Sequence, residues 1–181
     1  MWFDSYNFVC GEYDIVPYKS DVSLMYRGIL LDTAPLLILI VGHYDTLYNT
    51  KFIENFQSKS KELKRNYDKY DYKILLAFLN SVGLGKKFNL IITSQIFTEF
   101  IKHLWEKVDD KEHFENILSE CFKNKSYIKE ESVSFMDCLN QKDFLKKELE
   151  IGDISIFITT QKTINSNKIV TIITDDIPFA N

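Results

Sequence analysis

The chain has 181 residues, 45% of them hydrophobic and 27% charged, with a formal net charge of -4. These proportions suit one globular domain with a sizeable core, and the acidic balance excludes a generally basic nucleic-acid binder while leaving room for a local basic stripe. Cys10, Cys121 and Cys138 lack CxxC spacing, which argues against zinc or a disulfide framework and reads as free thiols in a reducing, cytoplasmic setting.

The chain starts MWFDSYNF, acidic and aromatic without a positive n-region, so no signal peptide is expected. Residues 1–25 read as an irregular N-terminal extension with short strands around YNFVC and YDIVPY, and 26–181 as the domain proper.

GILLDTAPLLILIVG follows, from Gly28 to Gly42. A membrane span needs about 20 apolar residues. This run is shorter, carries Asp32 and contains Pro35, so no membrane span is expected. RGILLD reads instead as a buried strand that stops at Asp32. Pro35 suits the first turn of the next helix, where its missing N–H costs nothing. LLILIVG is apolar all round, the mark of a buried helix. Ionised carboxylates are expensive to bury without a partner or a metal, so Asp32 demands an explanation.

Lys51 to Lys73 is rich in Lys and Tyr, and KILLAFLNSV continues as an amphipathic helix expected to stop at Gly83 or Gly85. NLIITS is a short β-branched strand. Thr93 or Ser94 can cap the helix QIFTEFIKHLWEKV. Its apolar stripe is Ile96, Phe97, Phe100, Ile101, Leu104, Trp105 and Val108, with Glu99 and His103 together just outside it. KEHFENILSECF is a further helix, SYIKEESVS a strand and FMDCLNQKDFLKKELE a helix. IGDISIFITTQK opens a helix near Asp153, and IVTIITDD is a strand ending on Asp175 and Asp176. Strands alternating with helices predict an α/β fold, a mostly parallel central sheet covered on both faces.

In such a sheet, strand C-termini and the N-termini of following helices share one edge. Asp32, Glu99, Asp153 and the pair Asp175 and Asp176 all fall there. Carboxylates crowded in water-poor surroundings raise one another's pKa, and a divalent cation removes that conflict. Magnesium and manganese favour oxygen ligands and can orient a phosphodiester and activate a bound water. Each residue also has a structural reading: Asp32 as a helix cap, Glu99 as a solvated neighbour of the stripe, Asp153 as an N-cap, and TDD as a turn.

ILLDTAPLLILIVG, IITSQIFTEFIKHL, LEIGDISIF and TIITDD, in that order, resemble the motifs of PIN-domain ribonucleases, a family that includes the toxins of many toxin–antitoxin pairs. The resemblance runs from Gly28 to Asp176. It implies a three-layer α/β/α fold and a metal-dependent endoribonuclease. Asp32, Glu99, Asp153 and Asp176, with Asp175 as the near alternative, would hold magnesium or manganese. Thr174 and Ser94 would support the ligands or orient phosphate. It further implies an RNA substrate, an antitoxin protein partner and a possible homodimer. The chain departs from the pattern at Ile154, where a small residue is usual, and at Ser94, where proline is common. The family continues through a further helix and edge strand after its T-x-D, whereas this chain finishes at Asn181, so a sheet lacking its last edge strand is expected.

For RNA contact, Lys59, Lys61, Lys64, Arg65 and Lys69, interleaved with Tyr67, Tyr70 and Tyr72, form the main candidate tract, and Lys86 with Lys87 a second. The plain alternative for the first is a solvated helix, since Glu62, Asp68 and Asp71 dilute its charge. His43, His103 and His113 show no metal-ligand spacing. Two rival functions accompany the nuclease. One is a catalytically degenerate PIN-like module that binds RNA or protein. The other is an aspartyl phosphoryl-transfer protein, which would want a second acid close to Asp32 in sequence and a later lysine, neither of which is evident.

Overall fold

In the computed structural model the described residues are 3–5, 18–20, 26–58, 65–82, 89–108, 110–122, 128–141 and 149–175. The first two strands, β1 (Phe3–Ser5) and β2 (Tyr18–Ser20), pair antiparallel in a sheet of their own. Tyr6–Cys10 and residues 13–17, where short strands were expected, lie outside the described residues.

The central sheet is built from β3 (Tyr26–Leu31), β4 (Leu90–Thr93), β5 (Ile128–Glu131) and β6 (Ile169–Ile173), in the spatial order β5-β4-β3-β6. All three pairings are parallel. Parallel strands require crossover connections, and these are the helices α1 (Thr33–Tyr48), α2 (Lys69–Val82), α3 (Ser94–Lys107), α4 (Lys111–Phe122), α5 (Phe135–Asn140) and α6 (Ile151–Asn165). The result is the α/β fold with a parallel sheet flanked by helices that the alternating pattern predicts. Leu47 and Tyr48 close α1, and none of the helices among the described residues is long and apolar enough to cross a membrane.

Burial follows the sequence pattern. Ile29, Leu30 and Leu31 are wholly buried, and all of β4 is buried, as expected of central strands covered on both faces. α1 buries residues all round, from Thr33 to Tyr44, which is why its sequence shows no polar face. It begins at Thr33, two residues before Pro35, and Pro35 still lies in the first turn. α2 ends at Val82, just ahead of Gly83, as expected. At the edge, β5 exposes Lys129 and Glu130, charges of the kind that discourage pairing with another sheet. β6 forms the opposite edge of the described sheet, and residues 176–181, on which the expectation of a missing strand bears, lie outside the described residues.

Two glycines permit close approaches. A Cβ on Gly42 would stand 2.5 Å from Cβ of Tyr72, so α1 and α2 touch backbone to side-chain root at this point. A Cβ on Gly28 would stand 2.6 Å from the Asn89 carbonyl, beside the register shift between Tyr26 and Gly28 where β3 meets β6.

The structure corrects three details of the sequence reading. In α3, Ile96, Phe100 and Leu104 are buried, as is Val108 at its C-cap, but Trp105 is 60% exposed and packs edge-on against Phe114 of α4. The helix expected over FMDCLNQKDFLKKELE ends at Asn140, with Gln141 as its C-cap, and 142–148 lie outside the described residues. Asp153 is not an N-cap: Glu150 is, and Asp153 occupies the third helical position.

Candidate functional site

The strand order reverses between β3 and β6, since the chain leaves β3 toward β4 and returns on its other side. In open α/β sheets this switch point, at the strands' C-terminal ends, is where ligands bind. Asp32 follows β3 there and Thr174 follows β6. The Asp32 N–H donates to the Ile173 carbonyl at 3.0 Å, and Thr174 Oγ1 donates to Asp32 Oδ2 at 2.7 Å. Asp32 is also the N-cap of α1: its Oδ1 accepts the Thr33 N–H at 2.6 Å. The cap reading is therefore realised. It leaves the carboxylate at the switch point, 7% exposed, next to the positive end of the α1 dipole.

Thr33 carries the arrangement to the next strand's helix. Its Oγ1 donates to Glu99 Oε2 at 3.0 Å. Glu99 belongs to the second turn of α3, whose start is set by Thr93, capping through a bond from the Ile96 N–H to Thr93 Oγ1 at 3.2 Å. Thus Thr93 caps and Ser94 is the first helical residue, its hydroxyl turned to Gln95 Oε1 at 3.2 Å. His103, one turn on, brings Nε2 to 3.5 Å from Glu99 Oε1. Glu99 is accordingly partnered from two sides and is not a solvated bystander.

α6 closes the same edge. A Cβ on Gly152 would stand 2.6 Å from Glu99 Oε2 and 2.9 Å from Ile96 Cδ1, so the glycine leaves the room that the carboxylate occupies. Asp153, beside it, is 9% exposed and completes a capping box, its Oδ2 accepting the Glu150 N–H at 3.1 Å. Ser155 Oγ meets Thr93 Oγ1 at 2.7 Å in full burial, tying α6 to the end of β4. Sequence reasoning missed Thr33, Gly152 and Ser155. The signals available were a hydroxyl directly after the strand-end acid and a glycine in a helix's first turn, a position where alanine serves better unless space is needed.

Asp175 stands differently. It is 8% exposed, and its Oδ2 accepts from Ser58 Oγ at 2.8 Å and from Tyr67 OH at 2.5 Å. It therefore anchors the segment that precedes α2 to the end of β6. Asp176 lies outside the described residues. Among the described residues, no three His, Cys, Asp or Glu side chains converge closely enough to hold a metal ion by themselves. The donor chemistry is nonetheless that of a hard divalent cation, because Asp32, Glu99 and Asp153 offer carboxylate oxygens and Thr33 and Thr174 offer hydroxyls.

The expected RNA-contacting tract is altered. Arg65 forms a two-pronged ion pair with Asp71, Nη1 to Oδ2 at 2.8 Å and Nη2 to Oδ1 at 2.5 Å. Tyr67 and Tyr72 are buried, 3% and 5% exposed, so they cannot stack on bases. Tyr70 and Lys69 are exposed at the start of α2, while Lys59, Lys61, Lys64, Lys86 and Lys87 lie outside the described residues. The other two histidines are engaged in packing: His113 Nδ1 bonds Tyr44 OH at 2.8 Å and His43 Nδ1 bonds Tyr72 OH at 3.3 Å.

Beside Glu99 a groove of about 650 Å³ runs between α3 and α6, lined by residues that include Thr98, Lys102, His103, Glu150 and Ile151. No protein-family model matches the chain, and no curated protein or solved structure matches it either.

Proposed function

We propose that the chain is a metal-dependent endoribonuclease of the PIN type. One observation carries the reading: a hydrogen-bonded chain runs Thr174–Asp32–Thr33–Glu99 across the switch point of a parallel sheet, with Gly152 against Glu99. Asp32, Glu99 and Asp153, with Asp176, would hold magnesium or manganese. When bound, the cation supplies Lewis acidity toward a phosphodiester and a water of lowered pKa. Thr174 and Thr33 orient the two carboxylates, since a hydroxyl donor fixes which oxygen lone pairs remain available to a ligand. His103 steadies Glu99 from the other side. The same reading takes RNA as substrate, a cytoplasmic location, an antitoxin protein as partner and a homodimer as assembly.

The test is manganese-dependent cleavage of RNA by the wild type and by Asp32→Asn, with circular dichroism as the control for folding. Cleavage lost in a folded variant supports the site. Undiminished cleavage by Asp32→Asn would falsify it.

A second reading, a catalytically degenerate module that binds RNA or protein, is favoured by a specific observation. Asp32, Asp153 and Asp175 each already serve as a cap or an anchor. A wild type that binds no manganese in calorimetry and cleaves nothing would favour that module.

A further inference from the structure

The pair α5 and α6 carries a pocket that the nuclease reading does not use. On α5, Asp137 and Asn140 stand one turn apart, and on α6 Ile158, Gln161, Lys162 and Asn165 recur at helical spacing, so each set falls on one face of its helix. The two faces meet in a pocket of about 240 Å³. Its floor is Ile158, 5% exposed, which shares an apolar cluster with Cys138 of α5. Its rim is polar. The Lys162 ammonium stands 3.5 Å from the Asp137 carboxylate, so the two charges cancel and link α5 to α6 across the opening. The carboxamides of Asn140, Gln161 and Asn165 line the rest, and none of them has a hydrogen-bond partner among the described residues. At about 1.5 Å of rise per residue, Asn165 lies roughly 20 Å along α6 from Gly152, so the pocket is separate from the Glu99 site.

We propose that this pocket binds a single adenine-type base, carried by a free nucleoside or by one nucleotide of an RNA. The proposal does not depend on the nuclease reading. Size, charge and chemistry each support it. The volume lies below the roughly 300 Å³ at which clefts for drug-sized ligands begin, so it suits one small ring system. Asp137 and Lys162 neutralise each other, which favours a neutral ligand over a phosphate or a cation. A carboxamide presents an N–H donor and a carbonyl acceptor side by side. That pair complements the edge of adenine, where an amino group adjoins a ring-nitrogen acceptor. Gln161 and Asn165, one turn apart on α6, offer two such pairs, and the flat face of the base has Ile158 to lie against.

The experiment is an NMR titration of the full chain with adenosine, followed through the side-chain amide signals of asparagine and glutamine. The signals of Asn140, Gln161 and Asn165 are expected to shift together and to saturate, with a Kd on the order of 0.1 mM for so small a ligand in an open pocket. Gln161→Leu and Asn165→Leu change exposed side chains without partners among the described residues, so both should stay folded. Each should weaken adenosine binding about five- to tenfold, the size of one lost hydrogen-bonding group. Lys111→Ala, which removes an exposed ammonium 3.6 Å from Glu115 on α4, should bind like the wild type. Glucose, the comparison ligand, should move none of the three signals. A short oligoadenylate, titrated in chelator, separates the two sources of the base. Binding per base no tighter than adenosine's assigns the pocket to a free nucleoside, and binding by the oligonucleotide alone assigns it to RNA. Saturable shifts with neither adenosine nor oligoadenylate, wild-type affinity in both leucine variants, or the same shifts with glucose overturns the proposal.

Discussion

Glu99 and Gly152 approach so closely that a Cβ on the glycine would lie 2.6 Å from the glutamate's Oε2. The obstructed atoms are the ends of flexible side chains, Glu99 and Ile96, so the fold can yield without moving backbone. Gly152→Ala should therefore stay folded. The helix gains up to about 1 kcal/mol of propensity and loses a comparable amount to crowding, leaving stability within about 1 kcal/mol of wild type. The carboxylate must swing away from Thr33, and manganese affinity should fall about tenfold or more. Urea denaturation and calorimetry on the same sample check both halves. A variant with wild-type affinity would show that Glu99 is no ligand.

Asp32→Asn separates the two jobs of Asp32. Asparagine caps helices as well as aspartate does and its amide oxygen can still accept from Thr33 or Thr174. Stability should change by less than about 1 kcal/mol, while manganese binding is lost with the charge. Asp32→Ala should lose both, with a stability cost of about 1–2 kcal/mol for the cap. If Asp32→Asn binds manganese as the wild type does, the carboxylate is only a cap.

Asp175 is expected to behave as an anchor. Removing its side chain takes an acceptor from the buried Tyr67 hydroxyl and from the Ser58 hydroxyl, so Asp175→Ala should cost about 1–3 kcal/mol. Tyr67→Phe should cost about 1–2 kcal/mol. The two losses should not add, because they break the same bond. A double-mutant cycle in urea checks this. An Asp175→Ala variant of full stability that loses manganese binding would instead make Asp175 a ligand.

Asp45 near the end of α1 is 3% exposed and accepts from Thr50 Oγ1, the Phe52 N–H and the Ile53 N–H. It binds the chain's exit from α1 to the 3-10 turn Phe52–Asn55. Asp45→Ala takes the acceptor from one buried and one part-buried backbone donor, and unfolding free energy should drop by about 2–3 kcal/mol. A loss below about 0.5 kcal/mol would mean that water replaces the carboxylate.

The Cys138 thiol, 1% exposed, is pushed above its ordinary pKa, first by burial and then by Asp137. The folded state therefore favours the protonated thiol. Its contribution is complete below the unfolded thiol's value, about 8.5, and is lost as pH rises through the higher folded value. Melting temperature should fall more steeply above that pH in the wild type than in Cys138→Ala. Parallel pH profiles for the two proteins would contradict the shift.

What the sequence alone determined is local and periodic. Apolar or β-branched runs located β3, β4 and β6, and SYIKEESVS contains β5. The all-round apolar character of LLILIVG foretold a helix buried on every side. The alternation of strands and helices foretold a parallel sheet, because parallel strands need crossovers. Asp32 at the end of a strand was legible for the same reason: a lone carboxylate in an apolar run is conspicuous.

What only the tertiary structure decided is how side chains far apart in sequence share space. Trp105 and Phe97 fit the helical stripe of α3, yet what packs against that helix leaves them exposed. Tyr67 and Tyr72 sit in a lysine-rich tract that reads as surface, yet Asp175 and Gly42 draw them into the interior. Arg65 was a candidate for phosphate until Asp71 claimed it. Thr33, Gly152 and Glu99 come together from three segments, and the local signals in each do not say that the three meet. Hydrophobic periodicity reports which face of an element is buried. Hydrogen bonds and close approaches report which partner it is buried against, and that depends on the order of strands across the sheet.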